Sequence, residues 1–228
     1  TDITCFAANN GSASFAVSNS TSYTAILTVG TGTPVIAANV VSLSGLTPGN
    51  YTLQVTDTTA GCTDDVSFSI AEPTALDLYL VNNINANCNT GAVVTFQGTG
   101  GTPNYTYAFV SDGATPLPTD YSASATATLA VTLPSPNAYD VWVQDANGCT
   151  FILDVNVAFD AAPTITPPAP QCYAGTPLTT DLDLVTTTYN SINKTYTLDG
   201  SVLATSTATF NGPGTYSLGI RDDNGCEE

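Results

Sequence analysis

Six cysteines carry the clearest chemistry in this 228-residue chain: Cys5, Cys62, Cys88, Cys149, Cys172 and Cys226. The gaps between them alternate long and short, at 57, 26, 61, 23 and 54 residues. Counting every second cysteine, the spacing is 83 and 84 residues from Cys5, and 87 and 77 from Cys62. Zinc needs close thiolate pairs or imidazole partners, and the chain has neither a C-x-x-C nor any histidine. Oxidation to disulfides remains. Of the many pairings that six cysteines allow, the period favours Cys5–Cys62, Cys88–Cys149 and Cys172–Cys226, one bridge per repeat. Persistent disulfides imply an oxidising place: cell surface, periplasm or medium.

Other chemistry is thinly supplied. A Ser-His-Asp or Cys-His site requires a histidine base. Glycosidase chemistry requires two facing carboxylates, yet the three glutamates, Glu72, Glu227 and Glu228, fall at a linker and at the end of the sequence. Lys194 is the single lysine, too few for a cross-link in every repeat. The chain therefore reads as a non-enzyme. Calcium is a further candidate, because Asp145-Ala-Asn147-Gly148 and Asp222-Asp223-Asn224-Gly225 set oxygen ligands in tight turns. Calcium takes six to eight oxygens, and each turn offers two or three. The competing reading is an Asx-turn that closes the cysteine hairpin. Sequons at Asn10, Asn19, Asn50, Asn104 and Asn193 and the Asp57-Thr58-Thr59 triplet could carry glycans. Trp142, the single tryptophan, is the candidate glycan contact, being out of phase with Val141 and Val143.

Composition narrows the partners. Two Lys+Arg against 19 Asp+Glu give a net charge of −17. Such a chain cannot neutralise a row of phosphates, which argues against nucleic acid, and an anionic membrane surface would repel it. No run of apolar residues is long enough to span a bilayer. With 39 Thr and 17 Ser, hydroxyl residues make up about a quarter of the chain.

The elements that must position these residues are strands. Apolar and polar residues alternate with period 2 at Ser14–Val17, Val40–Leu43, Val66–Ile70 and along Ser122–Leu133, and no helical period is sustained. Asn9-Asn10-Gly11, Thr47-Pro48-Gly49-Asn50, Asn147-Gly148, Asn211-Gly212-Pro213-Gly214 and Asn224-Gly225 punctuate them as turns. Many short strands with such turns predict antiparallel β-sandwiches. The late part of each repeat is the most alike: a tyrosine, two apolar residues at +2 and +4, an aspartate, then Gly-Cys. Tyr51, Tyr139 and Tyr216 therefore read as tyrosine corners that enter a penultimate strand. Glu72-Pro73 and Asp160-Ala-Ala-Pro163 mark unit boundaries, giving residues 1–73, 74–161 and 162–228. Short Pro-rich linkers hold neighbours at a near-fixed angle. The third unit reaches Cys226 without the strand that follows the second cysteine in the other two, so the sequence reads as a segment of a longer polypeptide. The alternative is a strand supplied by a neighbouring molecule.

The strings Leu46-Thr-Pro-Gly-Asn-Tyr51-Thr-Leu-Gln-Val-Thr-Asp57, Gly61-Cys62-Thr63 and Ser69-Ile-Ala-Glu72-Pro73-Thr-Ala-Leu76 resemble the SprB-type repeat of surface adhesins of gliding Bacteroidota. Asn9-Asn-Gly-Ser12 and Gly100-Gly-Thr-Pro-Asn104-Tyr-Thr-Tyr107 are similar to its earlier half. The resemblance covers most of the first two units and Gly212–Cys226 of the third. It implies tandem immunoglobulin-like sandwiches, type IX secretion, display on the bacterial cell surface, and roles in adhesion, filaments or gliding motility. The expectation is an all-β chain of three immunoglobulin-like repeats forming an extracellular rod or fibre, its partners other repeats of the same or neighbouring chains and surface glycans. A carbohydrate-binding or spacer module of a secreted enzyme is the alternative.

Overall fold

The computed structural model describes residues 1–124, 126–131, 138–188 and 192–228. They form three all-β units in sequence. In the first, β1 (Gly11–Ala16), β4 (Val40–Leu46) and β3 (Val35–Ala37) make one sheet. Its second sheet is β2 (Tyr23–Val29), β5 (Gly49–Asp57) and β6 (Thr63–Ile70), in the order β2-β5-β6. In the second unit, β7 (Asp77–Ile84), β9 (Ala92–Thr99) and β12 (Ala127–Val131) face β10 (Thr106–Ser111), β11 (Ser122–Ala123), β13 (Ala138–Gln144) and β14 (Thr150–Asn156). A short parallel pair, β8 (Ala86–Asn87) with β15 (Phe159–Asp160), closes one end.

The third unit has β16 (Thr164–Ile165) on β18 (Thr186–Thr187) and β17 (Leu178–Asp181) on β21 (Thr207–Phe210). Its remaining sheet is β20 (Ser201–Val202), β19 (Lys194–Leu198) and β22 (Leu218–Asp222). Beyond β22, Ile220 and Glu228 exchange backbone hydrogen bonds of 2.9 and 3.0 Å. That is the pairing with which β6 and β14 open beside β5 and β13. Two facing antiparallel sheets with this strand order are the immunoglobulin-like sandwich. The long alternating run Ser122–Leu133 is not one strand: β11 and β12 are separate, and Ala125, Thr132 and Leu133 lie outside the described residues.

Each unit has its own core. Val41, Leu43, Leu46, Tyr51 and Leu53 fill the first, Val94, Phe96, Tyr107, Val141 and Val143 the second, and Leu182, Tyr196, Ala208 and Ile220 the third. The alternation of β5 produces its share directly: Tyr51 and Leu53 point in, Thr52 and Gln54 sit between the core and solvent. Burying each such side chain contributes roughly 1.5–3 kcal/mol. The third core is the smallest, as befits its shorter strands. Among the described residues there is no α-helix, and no helix is long and apolar enough to cross a membrane.

Strand direction fixes where the cysteines fall. Cys62 lies in the turn between β5 and β6, while Ile3 donates to the carbonyl of Ala71 at the far end of β6. Cys5 and Cys62 are thus separated by the eight residues of β6, roughly 27 Å at strand rise. In the second unit Cys149 precedes β14, and Cys88 follows β8, whose partner β15 lies beyond the end of β14. Every unit therefore carries its second cysteine at a leading end and its first cysteine at a trailing end.

Candidate functional site: the cysteine turns at the unit junctions

The pairing expected from the repeat is corrected here. Cys5–Cys62, Cys88–Cys149 and Cys172–Cys226 do not form. The bridges are Cys5–Cys149 and Cys88–Cys226, each with Cα atoms 5.7 Å apart. Cys62 and Cys172 are free and exposed. The reason is geometric: a disulfide spans only about 6 Å between Cα atoms, and the sandwich holds its two cysteines at opposite ends. The cysteine within reach belongs to the neighbouring unit, so both bridges cross unit junctions.

The turn that presents the second cysteine is built the same way three times. Asp145 N–H donates to Cys149 O at 3.0 Å, and Gly148 N–H donates back to Asp145 O at 3.0 Å. Asp222 and Cys226 repeat this closure at 3.0 Å with Gly225 at 3.1 Å, and Asp57 and Cys62 at 2.9 Å with Gly61 at 2.9 Å. Gly61, Gly148 and Gly225 have φ of 73°, 83° and 76°, a left-handed conformation that glycine adopts without a Cβ clash.

The aspartates act on backbone. Oδ1 of Asp145 accepts from Asn147 and Cys149 N–H, both at 2.9 Å, and Oδ2 accepts from Thr102 N–H at 2.9 Å. Asp222 Oδ1 accepts from Cys226 N–H at 2.8 Å. Both carboxylates are buried. In the first unit Asp57 Oδ1 accepts from Thr59 and Ala60 N–H at 2.7 Å. The Ala60 N–H, then the Ser20 side chain and Thr59 N–H, hold the Asp57 carboxyl below its ordinary range. Of the residues read as possible calcium ligands, Asp145, Asn147, Asp222, Asp223 and Asn224, the carboxylates of Asp145 and Asp223 accept from backbone, while Asp222 Oδ2 is buried without a partner. Both Asp145 oxygens are occupied by N–H donors, and Asp223 Oδ2 accepts from Ile192 and Asn193 N–H at 3.0 Å. These bonds make the turns Asx-type closures of the cysteine hairpin.

Polar contacts flank each bridge. Asn147 Nδ2 donates across the first junction to Thr4 O at 3.0 Å, and to Thr102 Oγ1 at 2.8 Å. At the second junction Asn89 Nδ2 donates to Asn224 O at 2.8 Å. Sequence reasoning missed Thr4 and Asn89; their position directly beside Cys5 and Cys88 was the available signal.

The other expected residues fall as follows. Tyr51 Oη donates to Thr47 O and Tyr216 Oη to Gly212 O, each at 2.8 Å and each four residues back. Tyr139 packs on the second core, and the residue four before it, Ser135, lies outside the described residues. Trp142 is half-buried, and its indole N–H is shielded from solvent without a partner. Thr58 Oγ1 lies 2.6 Å from Ser22 Oγ and donates to Ser22 O at 3.0 Å, so that hydroxyl is engaged. Asn50 and Asn104 are exposed. Lys194 sits 2.9 Å from Asp183 Oδ1, which also accepts from Tyr196 Oη at 2.6 Å. The Asp183 carboxylate raises the Lys194 pKa and keeps the amine charged, which suits an ion pair and not a nucleophile. A second carboxylate group went unseen in the sequence. Asp140 and Asp154 are register partners on β13 and β14, and Asp112 joins them within 4.8 Å. A hydrogen bond with Asp140, and the Asp140 charge, raise the Asp154 pKa.

This is a tandem immunoglobulin-like chain whose distinguishing chemistry sits at the joints between units. No protein-family profile matches the chain, and no curated protein does. Among solved structures it is similar to the three N-terminal domains of the Highly Immunogenic Outer Capsid protein of bacteriophage RB49. There the TM-score is 0.49 and identity 11%, covering 95% of this chain and 88% of that one. It is also similar to the titin I-band fragment I67–I69, at TM-score 0.43 and 13% identity, covering 95% and 89%. The N-terminal eight-domain structure of Down Syndrome Cell Adhesion Molecule matches at TM-score 0.29 and 13% identity over 81% of this chain and 31% of that one. At such identities function has to be read from this chain's own geometry.

Proposed function

We propose that this chain is a structural and adhesive segment of an extracellular fibre, built to stay connected under tension and proteolysis. One observation carries the reading: the bridges join neighbours and do not staple single units. Cys5–Cys149 and Cys88–Cys226 overlap in sequence. Between Cys5 and Cys226 there are consequently two covalent routes that share no peptide bond, one through residues 149–226 and one through residues 5–88. A cut at any single peptide bond between those cysteines leaves the two ends attached. An enzyme domain has no use for such redundancy, whereas a fibre exposed to proteases and drag does. The bridges fit an oxidising location, and the charge of −17 keeps chains apart and soluble. The motifs that resemble SprB-type repeats support a bacterial cell surface and a place among gliding adhesins.

Electron microscopy of native cells, labelled with antibody to this chain, tests the reading. The expected result is label along thin threads that project from the surface. Label confined to the cell interior, or to compact soluble particles in the medium, would overturn it.

A further inference from the structure

The second unit holds a carboxylate group that its own side chains cannot neutralise. Asp140 and Asp154 are register partners on β13 and β14, and Asp112 follows β10, the strand on the other side of β13. One carboxylate oxygen from each lies within 4.8 Å of the other two. Asp112 and Asp154 are exposed, but Asp140 is only 2% exposed. Gly113 N–H donates to Asp140 Oδ2 at 2.8 Å. Asp140 Oδ1 is buried and meets no donor. A buried carboxylate oxygen without a donor carries the cost of its lost hydration uncompensated.

The unit has no cation of its own to offer. Residues 74–161 contain seven Asp and no Lys, Arg or His. Lys194 and Arg221 belong to the third unit, where they pair with Asp183 and Glu227. Two occupants can meet the bare oxygen: a proton shared by Asp140 and Asp154, or a bound cation. A shared proton serves two carboxylates and leaves Asp112 as an unanswered charge beside them. A cation answers all three. The donors are all oxygen, which selects a hard metal ion over zinc or copper. Calcium accepts irregular shells of six to eight oxygens, whereas magnesium demands a near-ideal octahedron. A cleft of about 350 Å³, lined by Ser111, Asp112, Ala138 and Tyr139, adjoins the group and leaves room for waters that complete such a shell.

We propose that Asp112, Asp140 and Asp154 bind one calcium ion on the outer face of the second unit's four-stranded sheet. Val141 and Val143 point into the core, so Asp140 and Trp142 lie on the opposite face of β13. The ion ties the end of β10 to β13 and β14. The site is distinct from the Asp145 turn, which lies beyond the other end of β13.

Trp142 makes the site readable. It is the single tryptophan of the chain, two residues from Asp140 and on the same face. The full chain, with both bridges formed, is stripped with a chelator and titrated with terbium, a luminescent substitute for calcium, at neutral pH and physiological salt. Excitation of Trp142 should give saturable terbium emission that calcium displaces. Calorimetry with calcium alone should find one site with a Kd of about 10⁻⁴ to 10⁻³ M, as in extracellular calcium modules. Asp112→Asn and Asp154→Asn each remove a ligand charge and should weaken calcium at least about tenfold. Both positions are exposed, and circular dichroism checks that the variants fold. Asp64→Asn, an exposed carboxylate of the first unit, should leave the affinity unchanged. The absence of a saturable site, or binding that Asp112→Asn and Asp154→Asn leave intact, would overturn the proposal and leave Asp140 with the shared proton. Magnesium bound as tightly as calcium would overturn the assignment to calcium. The fibre reading does not rest on this site and is tested separately by the labelled threads.

Discussion

Pulling the chain by its two ends distinguishes bridges across junctions from bridges within units. Fully extended peptide spans at most about 3.6 Å per residue, so the reduced chain should reach about 800 Å from its 228 residues. With both bridges intact, the first bypasses 144 residues. Taken together with the second, the shortest covalent path runs through residues 1–5, back along 149–88 and through 226–228, about 70 residues, or about 250 Å. One bridge per unit would leave only about 56 residues on the path, or about 200 Å. Single-molecule force spectroscopy resolves that difference easily.

The single variant Cys88→Ser sharpens the test. Its loss opens the second bridge and leaves the path of about 85 residues through Cys5–Cys149, so the limit should rise by only about 50 Å, to about 300 Å. If Cys88 were instead bonded to Cys149, the same substitution would release the loop between them and add about 220 Å. A limit near 200 Å for the oxidised chain, or a long gain in Cys88→Ser, would refute the junction bridges and with them the reasoning about redundancy.

Further outcomes follow from the same geometry. A protease cut at the first linker, beside Glu72-Pro73, should leave the non-reduced mass on one band and split it only after reduction, as read on paired gels. Asp145→Ala removes the acceptor for three backbone N–H groups. It should cost the second unit about 3 kcal/mol in urea unfolding and should speed reduction of Cys5–Cys149 by a dilute thiol. Tyr51→Phe deletes the hydroxyl bond to Thr47 O and should cost about 1 kcal/mol with the fold retained by circular dichroism. The Asp183 carboxyl is held below its ordinary range, first by the Tyr196 hydroxyl and then by Lys194. Its contribution is therefore present above the unfolded-state pKa and lost as pH falls through the folded one, so Asp183→Asn should flatten the acid limb of third-unit stability. Asp154 has the opposite sign: its raised pKa contributes stability at acid pH that is lost as pH rises through the folded value. Asp154→Asn should accordingly stabilise the second unit at neutral pH in thermal melts.

The strands were legible because each obeys a local rule. Alternation marks Val40–Leu43 and Val66–Ile70, and both lie inside strands: Val41, Leu43 and Ile70 are buried in the first core and Phe68 packs on it, while Val40 and Val66 are exposed. The tyrosine before each penultimate strand, and the aspartate that closes each Gly-Cys turn, depend on neighbours only a few residues away. The bridges depend on something a one-dimensional period cannot hold. Shifting every second cysteine by one repeat leaves the same regular spacing, so Cys5–Cys62 and Cys5–Cys149 look equally periodic. What separates them is the direction of β6, which carries the chain from Cys62 to the level of Cys5 over eight residues. An odd number of strands between two cysteines puts them at opposite ends of a sandwich, and a count of strands between Cys5 and Cys62 would have exposed the conflict. The carboxylates of Asp140 and Asp154 were hidden for the same reason, since their meeting is set by the β13–β14 register. Once strand direction is known, the leftover thiols cease to be odd residues. Cys62 closes the same Gly-Cys turn in the first unit that Cys149 and Cys226 close in the second and third.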